Sequence, residues 1–441
     1  MTQGFGLTAT ARAALLQRLS KRRAEPDAAA PAESPGRDLS TLPGARDIEM
    51  VREAGAALGL ESPYFRPHDG VAGAHTSIGN RDYINFSSYN YLGLNGDPRV
   101  AAAAKAAIDR HGVSASASRL ASGERPVHAE LEAALAAHHG AEACLAFVSG
   151  HATNVTVVGQ LLGPRDLILH DQLIHNSVAE GARLSGARRL AFPHNDWRAA
   201  ERELAAQRRK HGRALIVIEG HYSMDGDIPD LAPFVEMARR HDALLMVDEA
   251  HSTGVVGATG RGIAEQCGVP PDQVDIWMGT LSKTLSACGG YIAGRRQLID
   301  LLRHAAPGFV YSVGLAPPLA AAALESLRIL EAEPWRAAAL QANARRFLEQ
   351  AREAGFETGA SAGLGIVPVI LGSSVLAARM AAALFEAGIN VQPILYPVVP
   401  ERSARLRFFL SSEHSAADLD RAVEALVEAR QAITGQRLMA S

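Results

Sequence analysis

Between residues 96 and 330 the chain keeps one rhythm: a short apolar run, a polar break, then a helical stretch. The runs are ACLAFV (143–148), DLILHD (166–171), RRLAFP (188–193), ALIVIEG (214–220), ALLMVDEA (243–250) and DIWMGTL (275–281). Each is short, rich in Leu, Ile and Val, and continuous rather than alternating, which is the pattern of a strand buried on both faces. Helical stretches such as WRAAERELAAQRRK (197–210) and APFVEMARR (232–240) separate them. This alternation predicts an α/β fold with a mainly parallel sheet flanked by helices. Ligands of such sheets bind beyond the carboxyl ends of the strands. The polar residues that close each run are therefore the ones to read for function.

The same rhythm sets the domain boundaries. Asp97-Pro98 reads as the cap and first turn of a helix ended by Gly112, and PVHAELEAALAAHH (126–139) stops at Gly140. Residues 96–330 are expected to form a large domain. Beyond 330, helices (334–353, 375–388, and one from Ala416 to about Ala432) alternate with fewer strands, GIVPVIL and RLRFFLSS. Residues 331–441 are expected to form a smaller C-terminal α/β domain, with 49–95 an N-terminal segment. Residues 1–48 read as a flexible or docking tail. An amphipathic stretch, Ala11–Arg22 with Leu15, Leu16 and Leu19 on one face, runs into RRAEPDAAAPAESPGRD.

Composition removes several classes of function. With 47% apolar residues and a net charge of −3, the chain has material for a large core and no overall pull toward nucleic acid or an anionic membrane. No uncharged apolar stretch reaches the roughly 18 residues of a membrane span, and the N-terminus lacks a compact apolar region followed by a cleavage site. Cys144, Cys267 and Cys288 are odd in number and lack metal-type spacing. No disulfide framework and no metal site are expected, and a cytoplasmic location is.

One imbalance is useful. Of 44 basic residues only Lys21, Lys105, Lys210 and Lys283 are lysines, and arginine forms no Schiff base. Lys21 lies in the tail, Lys105 within AAAAKAAIDR and Lys210 in a charged run. Lys283 alone follows an apolar strand, with no charged residue within seven positions on either side. A lysine so placed is partly desolvated, which lowers its pKa and makes the amine nucleophilic.

Asp248 closes the apolar run of ALLMVDEAHSTG, where a carboxylate needs a cation or hydrogen-bond donors. DEAH after such a run also occurs in nucleotide-hydrolysing motors, but these need a GxxxxGK[ST] loop and the chain has no Gly-Lys pair. Asp248 and Lys283 together suit pyridoxal phosphate, the acid holding a protonated pyridine nitrogen and the amine carrying the cofactor. A Ser149-Gly150 turn from strand to helix offers backbone N–H groups to a phosphate, and Thr280 adds a hydroxyl nearby. His175 and His251 follow strand ends and can offer a ring face.

The ordered set SGH (149–151), DQLIHNS (171–177), EGHYSMDGDIPDL (219–231), VDEAHSTG (247–254) and GTLSK (279–283) resembles the α-oxoamine synthases. NYLGL (90–94) and RLRFFLSSEHS (405–415) also fit, so the resemblance spans about residues 55–435. These are fold-type-I pyridoxal-phosphate-dependent acyltransferases, among them 8-amino-7-oxononanoate synthase, serine palmitoyltransferase and glycine C-acetyltransferase. The resemblance implies that Lys283 carries the cofactor and later moves protons, with Asp248 on the pyridine nitrogen. It implies that His175 stacks on the ring, and that His251 and Ser223 lie near its phenolic oxygen. Gly150, His151 and Thr280 would take the phosphate, with Ser312 reaching the phosphate of a neighbouring subunit in a homodimer. Arg407 would hold the amino-acid carboxylate, assisted by Asn90 and Arg66.

The implied reaction is decarboxylative condensation of glycine, alanine or serine with an acyl thioester, on coenzyme A or an acyl carrier protein, giving an α-amino ketone and carbon dioxide. Departures from the family pattern bear on the substrate: His151 for an aromatic residue, His221-Tyr222, Val313-Gly314, and ASASRLASGER at 115–125. With the long tail they resemble members serving secondary-metabolite or lipid pathways. The alternatives are an 8-amino-7-oxononanoate synthase and a fold-type-I aminotransferase, though the latter would lack the SMDGD and HSTG context. A pyridoxal-binding regulator would need a DNA-binding module, for which the tail is too short.

Overall fold

The computed structural model describes residues 37–57 and 59–439, so the amphipathic stretch at 11–22 lies outside the described residues. A helix, Ala45–Ala57, runs across the boundary expected at residue 48. A hairpin follows, with β1 (His75–Ile78) antiparallel to β2 (Arg81–Asn85). The helix Pro98–His111 begins where Asp97 accepts the Arg99 N–H at 2.9 Å, and it ends at Gly112.

The central sheet has seven strands: β3 (Ala143–Phe147), β4 (Leu167–Asp171), β5 (Arg188–Phe192), β6 (Ala214–Glu219), β7 (Leu244–Asp248), β8 (Ile276–Thr280) and β9 (Gly290–Gly294). Their order is β3-β9-β8-β7-β6-β4-β5. All six expected runs are strands, and β4 to β8 pair in parallel. The seventh, β9, is antiparallel to β3 and β8, and its GYIAG was not among the expected runs. Gly290 is needed for packing. A Cβ there would stand 2.7 Å from Gly150 Cα, so its absence lets the helix Gly150–Leu161 lie close to the sheet.

Helices cover both faces, and each face has its own apolar cluster. Phe192, Leu231, Phe234 and Trp277 belong to one; Leu145, Val157, Val178 and Ile292 belong to the other. Every residue of β6 is buried. This double burial is why these strands read as continuous apolar runs.

Past residue 330, β10 (Ile366–Ile370), β11 (Ile389–Asn390), β12 (Gln392–Ile394) and β13 (Arg405–Phe409) follow. The sheet β10-β13-β12 is antiparallel, whereas β11 pairs in parallel with β2. The hairpin from the 49–95 segment thus shares a sheet with the C-terminal part. Phe86 joins the two by packing on Phe347 and Phe408, centroids 5.9 and 5.2 Å away. The last helix extends to Met439, past the expected end near 432. At one edge of the large sheet, β4, β6, β7 and β8 end on Asp171, Glu219, Asp248 and Thr280.

Candidate active site

Asp248 is 4% exposed, and its oxygens are satisfied by Asn154 Nδ2 at 2.8 Å and the Ala250 N–H at 2.9 Å. Lys283 follows β8. Protein crowds its amine, and the resulting desolvation pulls its pKa from 10.5 to about 8 against the opposing pull of Asp248 and Glu219. Its Nζ stands 5.5 Å from the Tyr89 ring centroid.

Two histidines flank these groups. His251 is buried, and its Nδ1 pairs with Tyr91 Oη at 2.8 Å. Burial first, then the charges of Lys283 and Arg407, holds its pKa well below the ordinary imidazole value. It is a neutral ring at physiological pH. His175 caps the helix Asn176–Ser185, with Nδ1 2.7 Å from Ser177 Oγ. Its ring stays exposed and meets His151 nearly edge-on, centroids 6.3 Å apart at 80°. A buried floor of Asp248 and His251 therefore lies behind accessible imidazole walls.

The strand β3 leads through Ser149 into the helix Gly150–Leu161, and Ser149 Oγ accepts the Ala152 N–H at 3.3 Å. The N–H groups of Gly150 and His151 are left without intrahelical partners, as at any helix start. Thr280 Oγ1 closes the other side, so near that a Cβ on residue 150 would lie 2.7 Å from it. The cradle suits a small anion.

Arg407, on β13, approaches from the C-terminal part. Its Nη1 donates to the Ser223 carbonyl at 3.0 Å, and its Cζ lies 4.6 Å over the Phe409 ring. Its Nε is buried without a hydrogen-bond partner, and so is Nδ2 of Asn90. Buried donors normally find acceptors. Both donors are therefore free to take an acceptor.

Arg66 and Ser312 have surroundings of their own. Arg66 stacks its guanidinium 3.5 Å over Phe385, whose ring also stacks on Tyr83. Phe385 lies on the helix Ser374–Glu386, so this contact ties Arg66 to the C-terminal part. Ser312 lies on a surface loop between Tyr311 and Val313, 87% and 52% exposed. Other residues of the cluster were not singled out from sequence. Asn154 bonds both Asp248 and, at 3.0 Å, Ser177 Oγ. Glu219 closes β6 as Asp248 closes β7, a signal present in ALIVIEG. Tyr91 lies within NYLGL, His221 within EGHYS and Tyr89 just before NYLGL, but none of the three was assigned a role in the site from sequence.

The donor set fits pyridoxal phosphate: a buried strand-end acid for the ring nitrogen, an amine of lowered pKa, an anion cradle and orphaned donors for a carboxylate. Fold and site together define a pyridoxal-phosphate-dependent transferase of fold type I. The sequence model of aminotransferase class I and II matches residues 81–426. The chain belongs to that family and, within it, to the α-oxoamine synthases. It is 42% identical over 363 residues to a putative 8-amino-7-oxononanoate synthase of Gloeobacter violaceus, covering 82% of this chain and 92% of that one. To the 8-amino-7-oxononanoate synthase of Geobacter sulfurreducens it is 40% identical, covering 87% and 96%. Among solved structures, the serine palmitoyltransferase of Sphingomonas wittichii superposes with TM-score 0.85 at 32% identity, covering 90% of this chain and 98% of that one. Among the described residues no helix is long and apolar enough to cross a membrane.

Proposed function

We propose that this enzyme condenses a small amino acid with an acyl thioester, releasing carbon dioxide and a free thiol and leaving an α-amino ketone. The observation that carries the reading is the Lys283 amine, softened to a pKa of about 8, within the charge field of Asp248 and of Arg407. Bound pyridoxal phosphate supplies an imine carbon for the substrate amine and a protonated ring that withdraws electrons from its α-carbon.

The rest is the work of side chains. Asp248, pinned by Asn154, holds the ring N–H proton. Arg407 Nε and Asn90 Nδ2 take the substrate carboxylate and fix which α-bond stands perpendicular to the ring. Lys283 Nζ removes the α-proton and later returns one. The α-carbon then attacks the thioester carbonyl; a carbon–carbon bond forms, the carbon–sulfur bond breaks and the thiolate leaves. Loss of the carboxylate as carbon dioxide leaves its electron pair on the α-carbon, which is reprotonated. With the cofactor bound, His175 would wall the ring, Ser223 and the neutral His251 would serve its oxygen, and Gly150, His151 and Thr280 would hold the phosphate.

A homodimer fits the exposed Tyr311–Val313 loop, which would carry Ser312 to a partner's phosphate. A cytoplasmic enzyme fits three unpaired cysteines. An acyl carrier protein is the thioester donor that a docking segment at 11–22 would serve.

Two substrate pairs are favoured by the relatives. Cutting the named product 8-amino-7-oxononanoate at its C7–C8 bond gives alanine and a seven-carbon diacid thioester; serine palmitoyltransferase names serine and a palmitoyl thioester. Sequence relatives support the first pair and structural neighbours the second. The test supplies cofactor-loaded enzyme with glycine, alanine or serine and each thioester, on coenzyme A and on a carrier protein. Thiol and carbon dioxide released one for one are expected with one pair. Amino-group transfer to a 2-oxo acid without thiol release would make it an aminotransferase instead.

A further inference from the structure

Four acidic or hydroxyl residues close the strands at the active edge, and Glu219 is the one without a role in the scheme above, since Asp171 is paired with His194. Glu219 lies opposite Asp248 in the β6–β7 register and is itself 4% exposed. The two acids are bound differently. Asp248 is held by Asn154 and Ala250, whereas Glu219 Oε1 accepts the main-chain N–H of His175 at 2.7 Å. The His175 ring is fixed separately, through Ser177. Ser223, whose carbonyl accepts from Arg407, follows Glu219 on the same loop. The end of β6 is thus the post to which the loop bearing the exposed imidazole is tied.

We propose that Glu219 is a positioning residue: by holding the His175 N–H it sets how far that imidazole leans over the site, and so where the pyridine ring is seated. This rests on the reading of the cleft as a pyridoxal phosphate site walled by His175. Burial, and then the neighbouring charge of Asp248, pushes the Glu219 carboxyl up to about 8. A largely neutral acid that accepts main-chain N–H groups, that of His175 and also that of Ser223, has a close isostere in glutamine. The role assigned is a hydrogen bond, not a charge.

The test measures the dissociation constant of pyridoxal phosphate and the visible circular dichroism of the bound cofactor, which reports ring orientation. The proteins are wild type, Glu219→Gln, Glu219→Ala, His175→Ala and the Glu219→Ala/His175→Ala double variant. Glu219→Gln is expected within about threefold of wild type and Glu219→Ala weaker by roughly 10–100-fold, with altered dichroism. With His175 already alanine, Glu219→Ala is expected to add less than about twofold, because the two act as one unit. If Glu219→Ala does not fold, Glu219→Asp replaces it in the cycle, its arm one methylene too short for the same bond. Fully additive losses, an unaltered Glu219→Ala, or Glu219→Gln as weak as Glu219→Ala would each overturn the assignment. Failure of the underlying reading looks different: wild type itself would not bind the cofactor.

Discussion

The side-chain amide of Asn154 donates to Oδ2 of Asp248 at 2.8 Å, from a helix that also presents its N-terminus as the anion cradle. The same nitrogen reaches Ser177 Oγ, which is paired with Nδ1 of His175. One amide therefore orients both the Asp248 carboxylate and, through Ser177, the His175 imidazole. Asn154→Ala is expected to weaken pyridoxal phosphate binding roughly 10–100-fold, as loss of an orienting neighbour typically does. Asn154→Asp is expected to be worse, since a second carboxylate disfavours the ionised Asp248. Absorbance titration of cofactor-free protein reads both, and an unchanged affinity in Asn154→Ala would remove the orienting role.

The lowered pKa of Lys283 gives a second expectation. Desolvation takes it from 10.5 to about 8, so in cofactor-free protein half its amines are neutral near that pH. Labelling with an amine-acylating reagent, followed by peptide mass spectrometry, should rise through pH 8 at Lys283 and level off where an ordinary lysine peptide is still rising. Linkage fixes the accompanying stability effect: the contribution of this lysine is present above pH 10.5 and lost as pH falls through 8. Asp248→Asn removes a charge that favours the ammonium, so its labelling midpoint should move lower. A wild-type midpoint near 10 would contradict the enclosed setting of the amine.

Much of this was legible in the chain because burial on both faces leaves continuous apolar runs, and a polar residue closing such a run is conspicuous. Asp248 was found in that way, Lys283 by elimination among four lysines, and Thr280 by its place beside Lys283. Glu219 carries the same mark, closing ALIVIEG, yet was given no role. Asn154 could not be found so, because a helix residue four positions past Gly150 shows its role only when the helix docks. Strand β9 was hidden by glycines whose purpose, the close approach of that helix, is tertiary. Arg66 is a different case: a motif position suggested a carboxylate partner, and the contact the structure adds is the ring of Phe385 under its guanidinium.

Arg407 supplies an orphaned Nε beside an Nη1 already used on the Ser223 carbonyl. Arg407→Lys keeps the charge but loses the planar fork and its stacking over Phe409, so it is not a conservative change. The amino-acid KM is expected to rise roughly 10–100-fold, the loss of about 1.5–3 kcal/mol from a hydrogen bond to a charged group. Because the carboxylate also sets which α-bond is aligned, kcat should fall as well. Cofactor affinity should stay near wild type. A variant with unchanged KM would place the carboxylate elsewhere.

His194 bridges the loops that support the site, with Nδ1 2.9 Å from Asp171 and Nε2 2.9 Å from Asp227. Burial opposes its charge, but the two hydrogen-bonded carboxylates overcome that and raise its pKa to about 10. His194→Ala leaves two largely buried acids without their cation and is expected to cost about 3 kcal/mol of stability, read from urea unfolding at neutral pH. The pH dependence has a definite sign. A raised histidine pKa contributes stability that is fully present below the unfolded value of 6.5 and lost as pH rises through about 10. The gap between wild type and His194→Ala should therefore be widest near pH 6 and shrink steadily toward about pH 9.5. Adding Asp171→Asn and Asp227→Asn to His194→Ala should recover part of the loss, because the uncompensated charges are then gone. A stability gap that stays constant from about pH 6 to about pH 9.5 would mean that the bridge holds these loops by packing alone.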